Sequence, residues 1–275
     1  MKQDILIGCV ADDFTGASDA ASFLMSKGMK TILFNGKPDG EIPPCQAVVI
    51  ALKSRTQETK SAVADSMAAF TWLKEQGAQH LYFKYCSTFD STKEGNIGPV
   101  VDAMLEAFGE KYTILCPALP VNKRTVENGI LYVDGVPLSE THMKNHPLTP
   151  MWESEIAKLM DPQGKYQTLN VNTELLAKSK EEILAVVDEF GKDKEHFYIV
   201  PDYVNDENGT KIAEVFGDLT VLTGSSGILA PLAAKYQQAQ TAKDNMENSV
   251  DGKGIVLAGS CSKATLEQIA DFQTK

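Results

Sequence analysis

Cys9-Val10-Ala11-Asp12-Asp13-Phe14-Thr15-Gly16-Ala17-Ser18-Asp19 is the stretch that decides how this chain folds. An apolar run, Ile5 to Val10, leads into it. Two adjacent carboxylates interrupt the run, and a small-residue pattern with helical spacing follows over Ala17 to Lys27. The stretch reads as a first strand that delivers Asp12 and Asp13 to its carboxyl end, with Thr15-Gly16 opening a helix. In an open α/β sheet that edge is where ligands bind. Two roles are open for the carboxylate pair. One is chemical: binding sugar hydroxyls, accepting a proton or holding a metal. The other is structural: capping a helix and complementing its dipole.

The same punctuation recurs outward from this stretch. Strands are predicted over Lys30–Phe34, Ala47–Leu52, His80–Lys84 and Tyr112–Cys116, and later over Gln167–Asn170, Phe197–Pro201 and Leu219–Thr223. Helices are predicted over Thr59–Gln76, Ile97–Phe108, Trp152–Met160, Thr173–Phe190, Gly209–Phe216 and Ser225–Gln240. Near-continuous apolar runs such as Ala47–Leu52 suit strands buried on both sides. The fold class is therefore α/β: an open, mostly parallel sheet with helices on both faces. Ile130–Leu138 stands apart as a hairpin around Asp134-Gly135, and Ser139–Pro150 reads as a polar loop. Residues 1–240 form one domain, and the polar stretch 241–253 reads as a linker. Residues 254–275 read as the first strand-helix unit of an incomplete second α/β domain, with a strand over Gly254–Ala258 and a helix over Ala264–Phe272.

Composition narrows the function classes. The 275 residues carry a net charge of −11, which opposes nucleic-acid binding, since phosphate neutralisation needs clustered Lys and Arg. The five cysteines lie far apart, with no CxxC, and read as buried thiols in a reducing compartment. Met1-Lys2-Gln3-Asp4 does not open a signal peptide, and no run approaches the roughly 18 apolar residues of a membrane span. The expectation is a cytoplasmic protein without a membrane partner. Its assembly is left open, a homo-oligomer included.

Five more strand ends carry polar groups. Arg55, in Lys53-Ser54-Arg55-Thr56, has a planar fork suited to a carboxylate, or it faces solvent as part of a basic pair. The loop from Lys84 to Asn96 holds Lys84, Ser87, Thr88, Asp90, Ser91 and Asn96, a set able to bind a polyhydroxylated anion. Asn122 and Arg124 follow the strand that ends at Cys116. Thr223-Gly224-Ser225-Ser226-Gly227, like Ala258-Gly259-Ser260-Cys261-Ser262, is a turn that either cradles a phosphate or merely needs small residues. Neither is a P-loop or a GxGxxG turn, and the missing GxGxxG speaks against an oxidoreductase on a dinucleotide-binding sheet. His142 and His146 are spaced as a zinc pair, but Pro147 disfavours a helix there, so no metal site is predicted.

Taken in order, Ala11–Ala17, Lys84–Thr92, Gly95-Asn96-Ile97-Gly98 and His146–Met151 resemble the four-carbon acid sugar kinase family. The wording of Tyr85–Phe89 and Asn145–Pro150 is nearest to the branch acting on a 3-oxo-tetronate, with threonate and erythronate kinases as alternatives. A non-catalytic sugar-acid-binding module is a further one. The resemblance implies an N-terminal acid-sugar-binding domain, a C-terminal nucleotide-binding domain, and transfer of the ATP γ-phosphate, with Mg²⁺, to the 4-hydroxyl of the acid. Carried over, Asp12, Arg55 and the loop Lys84 to Ser91 hold the substrate, with Asn96 and Arg124 beside them. Arg55 or Lys84 takes the carboxylate. Asp12 or Asp13 activates the hydroxyl, with Asp90 in reserve. Ser260 and Ser262 contribute to the ATP site. Lys123 stands where the family usually has glycine, and the segment Thr223–Gly227 carries a serine where a second glycine is expected. Because the family's chains run on past Lys275, this chain is expected to bind the acid and to turn over poorly or not at all.

Overall fold

A computed structural model of the chain describes residues 5–40, 42–238, 258 and 263–274. In chain order the elements are β1 (Ile7–Ala11), α1 (Phe14–Met25), β2 (Thr31–Asn35), β3 (Ala47–Ala51), α2 (Thr59–Glu75), β4 (His80–Lys84), α3 (Ile97–Phe108) and β5 (Tyr112–Cys116). There follow β6 (Arg124–Glu127), β7 (Ile130–Val133), β8 (Val136–Pro137), α4 (Ile156–Met160), β9 (Thr168–Val171), α5 (Thr173–Leu176) and α6 (Lys180–Gly191). The last are β10 (Phe197–Pro201), α7 (Asp206–Phe216), β11 (Val221–Gly224), α8 (Leu229–Gln238) and α9 (Lys263–Gln273).

Among the described residues, eight strands form one sheet in the order β2-β3-β1-β4-β11-β5-β10-β9. Every pairing in it is parallel. β1, β3, β10 and β11 are buried at each residue, as strands covered on both faces must be. α1 packs on α8, and α2 on α3, as two pairs laid against the sheet. The predicted α/β class is what the chain adopts. A small antiparallel sheet, β6-β7-β8, stands outside it.

The differences from the sequence reading have local causes. α1 starts at Phe14, because the Asp13 carboxylate accepts the Gly16 N–H at 2.8 Å and caps the helix. The helix expected over Thr173–Phe190 is two helices, because Ser179 and Glu182 form a capping box that starts α6 afresh. α7 starts early at Asp206, capped by Asn205. Only Ile156–Met160 is helical in Trp152–Met160, since the Glu153 carboxylate takes the N–H groups of Ser154 and Glu155. α8 begins at Leu229 rather than Ser225, leaving Ser225-Ser226-Gly227 as a turn. β6 was not foreseen. It pairs with β7 through Asn128-Gly129, both in the left-handed region at φ 51° and 74°.

The core runs toward the strand ends. Phe70, Phe83, Tyr85 and Phe89 meet edge to face in succession, a favoured aromatic geometry. Phe89 is fully buried although its φ is +50°. That backbone conformation is costly for an aromatic residue, and the ring contacts offset it, pinning the loop after β4.

The chain divides into two compact units, residues 1–241 and 242–275. The expected linker 241–253 and the turn holding Ser260 and Ser262 lie outside the described residues. So does the expected strand 254–258, apart from Ala258. The helix expected over Ala264–Phe272 is α9. Among the described residues no helix is long and apolar enough to cross a membrane.

Candidate functional site

All strands of the large sheet end at one edge. From β1 the chain passes to β2 and back to β3 on one side, then to β4 on the other. The edge between β1 and β4 is thus a topological switch point, where open α/β sheets bind ligands. A cleft of about 450 Å³ opens in this region, lined among others by Asp13, Gly16, Arg55, Lys84, Ser87 and Arg124.

Lys84 ends β4, in register with Ala11 of β1 and Gly224 of β11. Its stem is buried, and its Nζ donates to the Tyr85 carbonyl at 3.0 Å. It makes no ion pair among the described residues. Gly16 makes room for it: a Cβ there would lie 2.9 Å from the Lys84 Nζ and would collide with the Asp13 carboxylate.

Arg55 follows β3. Its Nε and Nη2 donate to the two oxygens of Asp12 at 2.9 and 2.8 Å. Nη2 also lies 3.0 Å from Asp13 Oδ1, and Nη1 lies 3.8 Å from Asp90 Oδ2. One guanidinium thus faces three carboxylates. Burial opposes the charge on Arg55, and the bonds to Asp12 outweigh it. Burial pushes the Asp12 carboxyl up, and Arg55 only partly counters this. The fork that the sequence offered to a substrate carboxylate is therefore engaged on Asp12.

Asp13, Arg55, Lys84, Ser87 and Arg124 come together at the cleft. Asp12, Thr88, Asp90, Ser91 and Asn96 do not line it, and their bonds run to the protein. Thr88 donates to Asp90 at 2.6 Å, and Ser91 donates to Gln163 at 3.0 Å. The Asn96 Nδ2 donates to the carbonyls of Ser54, Arg55 and Gln57. Asn96 thereby braces the segment that carries Arg55. Of the two adjacent carboxylates, Asp13 reaches the cleft and Asp12 turns inward.

Arg124 begins β6, and its Nη1 donates to the Asn122 carbonyl at 2.7 Å. Its strand is held by Asp202, a buried carboxylate just past β10. Asp202 accepts from the N–H groups of Asn128, Gly129 and Thr173 and from Asn170 Nδ2, at 2.8 to 3.1 Å.

Sequence reasoning missed Asp19, which lines the cleft and accepts the Ser226 hydroxyl. A signal was present. Asp19 follows Gly16 by three residues, so it shares a helix face with it. Ser225 and Ser226, offered as a phosphate turn, use their hydroxyls on Ala118 O and Asp19. Among the described residues no cluster of three or more His, Cys, Asp or Glu suits a metal ion.

The cleft at the switch point of this α/β domain is thus polar and lined by groups of both charges. Residues 7–232 match the family described as the sugar-binding N-terminal domain. The chain is 41% identical to a Brucella melitensis protein named 3-oxo-tetronate kinase, over 99% of this chain and 63% of that protein. It is 43% identical to one so named from Haemophilus influenzae, over 98% and 65%, and 39% identical to one from Escherichia coli, over 98% and 70%. A solved Salmonella typhimurium LT2 structure, described as a putative tRNA synthase, superposes with a TM-score of 0.91 at 40% identity, covering 98% of this chain and 64% of that one. A Bordetella bronchiseptica protein, described as a domain-swapped dimer with bound citrate, superposes at 0.71 and 29% identity, covering 85% and 57%. The chain belongs to the four-carbon acid sugar kinase family, through its sugar-binding N-terminal domain. It spans 63% and 65% of the length of the Brucella and Haemophilus relatives.

Proposed function

We propose that the cleft binds the acceptor of an ATP-dependent kinase. The acceptor is a four-carbon sugar acid, 3-oxo-tetronate, phosphorylated on its 4-hydroxyl. The observation that carries this reading is Lys84, an ammonium at the switch point with no carboxylate partner among the described residues, beside Asp13. The names of the relatives and the citrate bound to the Bordetella protein agree with an acid ligand.

Lys84 takes the substrate carboxylate, with Arg124 as a second cation on the wall. Ser87 and Thr15 bond the sugar hydroxyls. Asp13, oriented by Arg55 and by its own capping bond, accepts the proton of the attacking hydroxyl. ATP supplies the γ-phosphoryl group, and Mg²⁺ neutralises charge on its phosphates. Ser260 and Ser262, expected at that end, lie outside the described residues. Residues 1–240 are accordingly the acid-binding domain, and 254–275 open the nucleotide-binding one. Use of ATP and the buried thiols of Cys9 and Cys116 fit a cytoplasmic enzyme. The Bordetella dimer favours an oligomer.

Calorimetry with 3-oxo-tetronate, threonate and erythronate, each with and without ATP-Mg, tests the reading. Binding of 3-oxo-tetronate ahead of the other two is expected. A chain that binds none of them overturns the proposal.

A further inference from the structure

Behind the Arg55 guanidinium lies a small chamber, separate from the cleft, of about 10 Å³. Its wall includes Asp12, Ser54, Asp90, Ser91 and Asn96, all buried, and one side of Arg55. That volume is the lower end of what one water molecule needs.

The hydrogen bonds around the chamber leave a consistent remainder. Asn96 Nδ2 serves three carbonyls, which fixes the amide so that Oδ1 is its acceptor atom. Asn96 Oδ1 is buried and has no protein partner, and neither has the buried Ser54 Oγ. Asp90 Oδ1 accepts from Thr88. Its Oδ2 faces Arg55 Nη1 across 3.8 Å, too far for a direct hydrogen bond. A charged donor and acceptor at that separation are often bridged by water.

We propose that this chamber holds one ordered water, which joins Ser54, Asn96, Asp90 and Arg55 and fixes the guanidinium at the cleft wall. Its two hydrogens go to Asn96 Oδ1 and Asp90 Oδ2. Its two lone pairs accept from the Ser54 hydroxyl and Arg55 Nη1. Four partners are the full capacity of a water, and every open group around the chamber is then satisfied. Arg55 is thereby a positioning residue. It is anchored on Asp12 directly and on Asp90 through the water, and it presents its Nη2 side to Asp13.

A high-resolution crystal structure of the chain tests this. One density peak is expected in the chamber, within about 3.2 Å of Asn96 Oδ1 and Ser54 Oγ. A chamber without density overturns the proposal, as does a peak at the roughly 2.4 Å distances of a bound cation. Ser54→Val, which removes the hydroxyl and fills the chamber, is expected to expel the peak and to draw Arg55 Nη1 into direct contact with Asp90. An unmoved Arg55 in that variant overturns the positioning role. Ser54→Ala, a milder change, keeps the room and is expected to retain the peak with three partners; loss of the peak there counts against the proposal. None of these outcomes depends on which acid the cleft binds, so failure of the kinase reading would not be mistaken for failure of this one.

Discussion

Asp12 and Asp202 invite comparison. Each is a buried carboxylate just beyond a parallel strand, β1 and β10, on the same edge of one sheet. Asp202 accepts from backbone N–H groups, an amide and the Thr173 hydroxyl, and among the described residues it has no cation in an ion pair. It spends its charge on backbone order, tying the β6–β7 turn and the start of α5 to the sheet. Asp12 is forked by Arg55, which also faces Asp13 and Asp90. Three carboxylates share that one guanidinium, and Lys84, a second cation, stands beside Asp13 at the same strand ends. Neutral donors thus make a closed knot, whereas unequal numbers of opposite charges make a wall with capacity left for a ligand.

The contrast can be broken by substitution. Asp202→Ala strands several buried donors at once, so a loss of about 4 kcal/mol in urea unfolding is expected. A loss below about 1 kcal/mol would show that the knot does not hold the edge together. Arg55→Ala leaves Asp12 buried without its partner, and about 3 kcal/mol is expected near neutral pH. Its sign with pH follows from Asp12. Burial already raises that carboxyl, and removing Arg55 raises it further. The penalty is therefore present at neutral pH and fades as the pH falls and Asp12 takes up its proton. Unfolding measured near pH 7 and near pH 4 separates this from Asp202→Ala only if the Arg55 variant regains stability in acid.

Lys84→Met reverses the pattern. Affinity for the sugar acid is expected to fall at least tenfold, about 1.4 kcal/mol, while the urea midpoint stays close to that of the parent. Unchanged affinity in calorimetry would remove Lys84 from the ligand. Ser179→Ala serves as the smallest change and the control. Losing the capping box is expected to cost about 1 kcal/mol and to leave acid binding alone.

Much of the sheet was legible because most of its strands have apolar centres. His80–Lys84, Tyr112–Cys116 and Phe197–Pro201 were read to the residue. β6 was not, because Arg124-Thr125-Val126-Glu127 has a single aliphatic residue. Its place is set by Val126 exchanging backbone hydrogen bonds with the distant Tyr203. At the site, sequence showed which strand ends carry charge but not which way each side chain turns. Arg55 was read as open to a ligand because its partner, 43 residues away, is not visible in the chain. Asp12 and Asp13 could not be told apart until the turn between β1 and α1 sent one inward and one outward. Asp19 acquired its role only when β11 brought Ser226 to it.

β11 also sets a schedule for biosynthesis. It is inserted between β4 and β5, pairing with each of them, although β4 precedes it by about 140 residues of chain and β5 by about 110. Until it arrives, two central strands offer bare edges, which are prone to pair with the wrong neighbour. Ser226, which reaches back 207 residues to Asp19, is laid down with it. On the ribosome, closing the sheet and completing the cleft are therefore one event, and a nascent chain that has not reached Ser226 can do neither.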